Sequence, residues 1–188
     1  MTGAAMISDI ERMIERIKAG DLGAVRAMVA ANFLLSSQRL ASGESPLMSA
    51  LYRGHHDIVE LLIGSGAEID VFAAAATGRV DDLRRAGTQE TVGGYSYDGW
   101  TPLHLAAFFG RLDAARLLIE RGADVHAVSR NGMTNTPLHA AAAGRHADVA
   151  LLLLDHGANG SATDAGGYTP RQIALQNQLD EVVARIKD

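Results

Sequence analysis

Cysteine is missing from this chain of 188 residues. Its absence excludes a disulfide framework and any thiolate metal site, and is compatible with a reducing compartment. Aromatic residues make up only 5% of the chain, with a single Trp. Alanine is abundant and 47% of residues are hydrophobic, a mix that suits closely packed short helices better than a β-sandwich. No apolar stretch reaches the roughly 18 residues that a membrane-spanning helix needs. No basic segment followed by an apolar run stands near the start, so a secretory leader is not expected. The formal net charge is −5, whereas a general nucleic-acid binder requires a basic face that displaces counterions. The chain also lacks a Gly-rich phosphate loop, a nucleophile elbow, a His-Glu-x-x-His zinc motif and paired carboxylates in a cleft-like context. Neither catalysis nor a cofactor nor a metal is expected.

Proline is scarce as well, and its placement is informative. All four prolines follow a hydroxyl residue, in Ser45-Pro46, Thr101-Pro102, Thr136-Pro137 and Thr169-Pro170, and the last three pairs are spaced 35 and 33 residues apart. A Ser or Thr hydroxyl accepts a hydrogen bond from an orphan N–H at a helix start. Proline suits the next position because its missing N–H had no partner there. Each pair therefore opens a helix, and the spacing indicates one helical unit repeated along the chain.

The clearest unit runs Asp98-Gly99-Trp100-Thr101-Pro102-Leu103-His104-Leu105-Ala106-Ala107-Phe108-Phe109-Gly110 and continues through Leu117, Leu118 and Gly122-Ala123-Asp124. Thr136-Pro137-Leu138-His139 and Gly157-Ala158-Asn159 repeat it, and Ser45-Pro46-Leu47 with Gly66-Ala67 preserves a weaker form. These motifs closely resemble the ankyrin repeat, a helix–turn–helix of about 33 residues followed by a β-turn finger. The resemblance implies an all-α fold: an ankyrin-repeat α-solenoid of about six stacked units with short fingers. The expected units are 5–36, 37–68, 69–96, 97–128, 129–162 and 163–188, forming a single domain over 1–188. The inter-helix turns fall at Gly20, Gly54, Gly78, Gly110, Arg145 and Gln178, with intervals of 34, 24, 32, 35 and 33. Ala106, Ala107 and their counterparts let first helices approach closely, while Leu117, Leu118 and Leu151 to Leu154 fill the space between second helices.

The outer units read as caps. Ser8 with Glu11 forms a capping-box pattern ahead of Ile10, Ile14 and Ile17, which share one helical face. At the other end, Arg171 and Gln172 stand where the repeat usually has Leu and His. Two internal departures matter more. The 24-residue interval leaves no room for a full finger, so Ile69-Asp70 is expected to pass straight into a helix. The second helix after it offers only Val80, Leu83 and Ala86, so residues 80 to 94 are expected to be the least protected internal stretch. The 35-residue interval reflects two extra residues around Thr134-Asn135, which should lengthen the finger after Arg130.

In ankyrin proteins, partners meet the finger tips and the exposed part of the first helices. By register, that implies Tyr52 and Arg53 in the second unit, Tyr97, Asp98, Trp100, Phe108 and Phe109 in the fourth, Arg130, Asn131 and Met133 in the fifth, and Tyr168 in the sixth. Asn135, Ala143 and Gly144 share that surface. Aromatic residues often carry interface energy, yet Trp100 and Phe108 would serve equally well as packing beside the irregular repeats. Recurrence of His104 and His139 at one repeat position implies structural capping of the Thr in the same motif. His55-His56-Asp57 makes a poor metal site, because adjacent helical residues point in different directions. Asn159 lies in a finger of the kind hydroxylated in some ankyrin proteins, with nothing in its flanks to favour it.

The expected function is a non-catalytic protein-interaction scaffold, monomeric and cytoplasmic, binding another protein and neither nucleic acid nor membrane. The alternative is a small-ligand sensor or an accessory regulatory subunit of an enzyme, for which a pocket around Phe72 and Tyr95 is the place to look.

Overall fold

The computed structural model describes residues 8–186. The outermost residues assigned to the first and last repeats, 5–7 and 187–188, lie outside that range. Among the described residues the chain forms thirteen α-helices, one 3-10 turn and no strand. The helices fall into two compact units divided between Ile69 and Asp70.

The first unit holds two helix pairs: α1 (Asp9–Lys18) with α2 (Leu22–Ala31), and α3 (Pro46–Arg53) with α4 (His56–Gly64). At the start of α1 the Ser8 backbone N–H donates to Glu11 Oε2 at 2.7 Å, and Ser8 Oγ accepts the Glu11 N–H, completing the capping box. Met13, Ile14 and Ile17 bury fully while Ile10 is half-buried, so the apolar face is centred one residue further along than the isoleucines alone suggest. Helix α1 lies against α2 and α3, and α2 against α4. A 3-10 turn at Phe33–Ser36 follows α2. Just beyond it, Ser37 Oγ donates to Gly66 O at 3.1 Å and accepts the Glu68 N–H at 2.9 Å, tying the end of one pair to the end of the next.

The second unit holds four pairs: α5 (Val71–Thr77) with α6 (Val80–Ala86), α8 (Pro102–Phe108) with α9 (Leu112–Glu120), α10 (Pro137–Gly144) with α11 (Ala147–Asp155), and α12 (Pro170–Gln176) with α13 (Asp180–Arg185). A single-turn helix, α7 (Gln89–Val92), follows the first pair. First helices stack in the order α5, α8, α10, α12, and second helices in the order α6, α9, α11, α13. Along the first row Ala74, Ala75, Ala106, Ala107, Ala141 and Ala142 are fully buried. A methyl is all that these helix-to-helix contacts admit, and a larger side chain there would cost about 1–3 kcal/mol in overpacking. Leu83, Leu118, Leu153 and Val182 bury completely along the second row, and truncating one of these leucines to Ala would cost about 2–5 kcal/mol.

All six inter-helix turn residues take left-handed backbone, with φ between 60° at Gln178 and 76° at Gly78. Gly110 illustrates why the fourth is glycine: a Cβ there would lie 2.3 Å from His146 Nδ1 of the next repeat. Arg145 and Gln178 adopt the same conformation with side chains pointing out, at φ 65° and 60°.

The shortened repeat is built as its spacing implies. Asp70 directly caps α5, its Oδ1 accepting the Ala73 N–H at 2.8 Å, and no finger precedes it. Helix α6 buries one side chain fully, Leu83. It also ends differently from its neighbours. Gly66, Gly122 and Gly157 close their second helices with φ of 83° to 86°, whereas Gly87 has φ −84°. The α6 carbonyls are covered instead by Arg121, whose Nη1 donates to Leu83 O at 3.1 Å, to Arg84 O at 3.0 Å and to Gly87 O. Thr88 and Thr91 then cap α7 reciprocally.

Candidate partner-binding surface

Each finger is a hairpin closed by backbone hydrogen bonds, and its length is set by the residues between them. Ser96 N–H donates to Trp100 O at 2.8 Å, and Asp164 N–H to Tyr168 O at 2.9 Å, each spanning four residues. Ser129 N–H donates to Asn135 O at 2.8 Å across six residues. The two extra residues lie within this hairpin, where Thr134 takes a left-handed φ of 50°. Neighbouring fingers are bonded to one another. Arg130 N–H donates to Gly99 O at 2.8 Å, Asn131 Nδ2 to Asp98 O at 3.1 Å, and Ala165 N–H to Met133 O at 3.0 Å. Gly99 is required at this junction, since a Cβ would lie 2.7 Å from the Arg130 carbonyl carbon.

A histidine ladder runs beneath the fingers. His104 Nδ1 lies 2.7 Å from Thr101 Oγ1 and faces the Thr101 N–H at 3.4 Å, while Nε2 lies 2.8 Å from Asn135 O in the following repeat. His139 does the same, with Nδ1 accepting the Thr136 N–H at 3.1 Å and Nε2 at 3.1 Å from Tyr168 O. A ring nitrogen that accepts cannot carry the proton, so both imidazoles are neutral with hydrogen on Nε2. Burial lowers the His104 pKa from 6.5 to about 4, with the nearby His139 adding to the shift and the bond to Asn135 opposing it. Burial also lowers His139, against the opposing influence of the Tyr168 carbonyl and Asp164. In the last pair Gln172 replaces the imidazole, and its Oε1 accepts the Thr169 N–H at 2.9 Å. The two histidines are thus spent on holding repeat to repeat. Among the described residues no cluster of three or more His, Asp or Glu is arranged to hold a metal.

Tyr52 is half-buried and Arg53 exposed, both at the end of α3 in the first unit. The other candidates belong to the second unit. Tyr97, Met133 and Tyr168 stand out from the fingers at 39%, 51% and 49% exposure. Asp98 and Asn131 are half-buried, the former accepting the Ser96 hydroxyl and the latter bridging two fingers. Arg130 is exposed, with its guanidinium carbon 3.9 Å from the centre of the Tyr95 ring. Trp100 is only 6% exposed and lies under Phe108, ring centres 5.3 Å apart and edge to face. Phe108 in turn meets Phe109 at 5.2 Å, and both are half-buried. The next repeat approaches this pair with no side chain at Gly144, where a Cβ would lie 2.2 Å from Phe108 O, and with exposed Ala143 beside it. The end of α8 that carries this aromatic wall thus packs beside small residues at the end of α10.

Val128 is not among the residues expected on this surface, while Tyr95 is expected only beside a ligand pocket and Arg145 only as a turn residue. Tyr95 supports Arg130 and donates its hydroxyl to Val128 O at 3.2 Å, and Val128 is 48% exposed. For Tyr95 and Val128, register just outside the finger hairpins was the available signal. Of the two residues expected to mark a ligand pocket, Phe72 lies 3.8 Å from the point where a Gly94 Cβ would sit, and Tyr95 is engaged with Arg130. An open hollow of about 510 Å³ lies beside the Arg121 clamp, lined by Gly87, Gln89, Glu120, Arg121 and Gly122.

Stacked helix pairs, paired fingers and a Thr–His ladder together define a helical repeat protein that offers a surface. The chain belongs to the ankyrin-repeat proteins: a profile described as Ankyrin repeats (3 copies) matches residues 17–129, and one described as Ankyrin repeats (many copies) matches 128–174. Among curated proteins it is similar to Protein phosphatase 1 regulatory subunit 12A of Mus musculus, 31% identical over 50% of this chain and 7% of that protein. It is also similar to Protein phosphatase 1 regulatory subunit 27 of Homo sapiens, 36% identical over 63% of this chain and 62% of that protein. A third relative is the Probable E3 ubiquitin-protein ligase XBOS32 of Oryza sativa subsp. japonica, 32% identical over 62% of this chain and 19% of that protein. In each case the matched stretch spans less than two thirds of the relative's length. No described helix is long and apolar enough to cross a membrane.

Proposed function

We propose that this chain is a non-catalytic protein-interaction module whose second unit binds a partner protein through its finger tips and the C-terminal ends of its first helices. The observation that carries the reading is the half-buried aromatic pair Phe108 and Phe109 at the end of α8, beside the small Ala143 and Gly144 of α10, with Tyr97 and Met133 exposed on the fingers of the same two repeats. Rigid stacking holds this surface in place, so binding loses little conformational entropy. Trp100 contributes from beneath by fixing Phe108, while Asp98, Arg130, Asn131 and Tyr168 complete the contact along the fingers. Tyr52 and Arg53 are proposed as a separate contact on the first unit. The protein acts as a monomer in the cytoplasm.

The relatives support a second, narrower reading. Two of them are named as regulatory subunits of a protein phosphatase, which favours an accessory subunit that recruits or positions an enzyme over a small-ligand sensor. Both readings are tested by affinity capture with the wild-type chain beside a Trp100→Ala, Phe109→Ala double variant and a Phe109→Ala single variant. The single variant should lose the partner while keeping its melting temperature. The double variant should lose the partner and also melt lower, because Trp100 is buried. Unaltered capture by both variants would move the binding surface elsewhere.

A further inference from the structure

The acidic balance of the whole chain hides a segregation of charge within the second unit. Its four first helices, α5, α8, α10 and α12, contain no Asp or Glu. The helical acids lie on the second helices and α7, among them Asp82, Asp113, Asp148 and Asp180. Where carboxylates do occur in the fingers, they are engaged locally. Asp98 accepts the Ser96 hydroxyl, and Asp164 Oδ1 accepts the Gly166 and Tyr168 N–H groups at 2.8 and 2.9 Å.

Two exposed basic groups lie in the repeat that packs against the one carrying the aromatic wall. Arg130 stands on the finger side, spread over the Tyr95 ring. Arg145 stands at the turn that follows Gly144, exposed and held outward by its left-handed backbone. Neither guanidinium makes an ion pair among the described residues, whereas Arg79, Arg84, Arg85 and Arg185 are all paired with carboxylates on the second-helix side. Unpaired guanidinium groups beside an apolar wall favour carboxylates planted next to an apolar anchor.

Resting on the interaction reading above, we propose that the occupant of this surface is an extended acidic segment of a partner protein, with an aromatic or large aliphatic side chain set against Phe108, Phe109 and Ala143 and carboxylates reaching Arg130 and Arg145. The net charge of the module would argue for a basic partner; the local arrangement selects the opposite sign. Charge complementarity of this kind acts mainly on encounter rate and specificity and weakens as salt rises.

The test is selection of random peptides of roughly 12 residues, long enough to cross neighbouring repeats in extended form, displayed against the intact chain. Wild type should enrich peptides with Asp or Glu flanking Leu, Phe or Trp, and their affinity should fall with rising salt. An Arg130→Glu, Arg145→Glu variant should lose these peptides by about tenfold or more. Arg116→Glu, the same charge reversal on the exposed face of α9, should leave them bound. Melting curves of all variants verify folding, and Arg130→Gln with Arg145→Gln repeats the comparison should the reversals fail to fold. Enrichment of basic or uncharged peptides, equal binding by the charge-reversed variant, or no enrichment would overturn the acidic-segment proposal. The interaction reading itself would still stand if a captured protein depends on Phe109, so the two failures are distinguishable.

Discussion

At the residue scale, the most consequential side chains are those that hold one repeat to the next. His104 and His139 each use both ring nitrogens, one on the Thr of their own motif and one on a carbonyl in the following repeat. Their geometry requires the neutral ring, and protonation would remove the acceptor at Nδ1. Because the folded pKa of His104 is lowered from 6.5 to about 4, the folded chain binds fewer protons than the unfolded chain across that window. Its contribution to stability is complete above pH 6.5 and is lost as the pH falls toward 4, on the order of 3 kcal/mol in all. His139, shifted in the same direction, adds to the trend. A His104→Gln variant, which imitates Gln172, should therefore melt somewhat lower at neutral pH and show a flatter decline between pH 6.5 and 4. A decline as steep as wild type, measured by thermal melts across that range, would assign the acid sensitivity to other groups.

At the scale of the element, α6 and α7 bury the fewest side chains of the internal helices. With Leu83 its single fully buried side chain and no left-handed glycine at its end, α6 depends on the Arg121 guanidinium from the next repeat to cover three carbonyls. Arg121→Ala should cost about 1–3 kcal/mol, the penalty for leaving such groups unsatisfied. It should lower amide protection from Leu83 to Val92 more than anywhere else, and an even loss across the repeats would contradict the clamp. Much of this element was legible beforehand. The 24-residue interval and the thin apolar content of 80–86 pointed to a fingerless repeat with a weak second helix, and the Thr134 excess to a longer finger. What escaped were features that depend on a neighbour: the Arg121 clamp, α7, and the 3-10 turn at Phe33–Ser36. A periodic pattern reports which face of a helix is apolar, but not which side chain from 34 residues away covers its end.

At the scale of the whole molecule, the same limit separated fold from site. The repeat register placed the six inter-helix turn residues and the four helix starts marked by Ser-Pro or Thr-Pro, because Gly, Ser, Thr and Pro act locally. The surface was legible only as a list of positions. Burial distinguishes among them: Trp100 lies beneath, Phe108 and Phe109 form the wall, and Tyr97, Met133 and Tyr168 stand outside. Charge is unevenly placed at this scale: the net −5 is carried largely by second helices and not by the first-helix row.

Amide exchange of the chain alone and saturated with its captured partner gives the most direct check on where binding occurs. Added protection should concentrate at residues 95–100, 108–111, 130–135 and 143–146, leaving α9 and α11 unchanged. Protection that instead gathers on those second helices, with the fingers unaffected, would contradict the account.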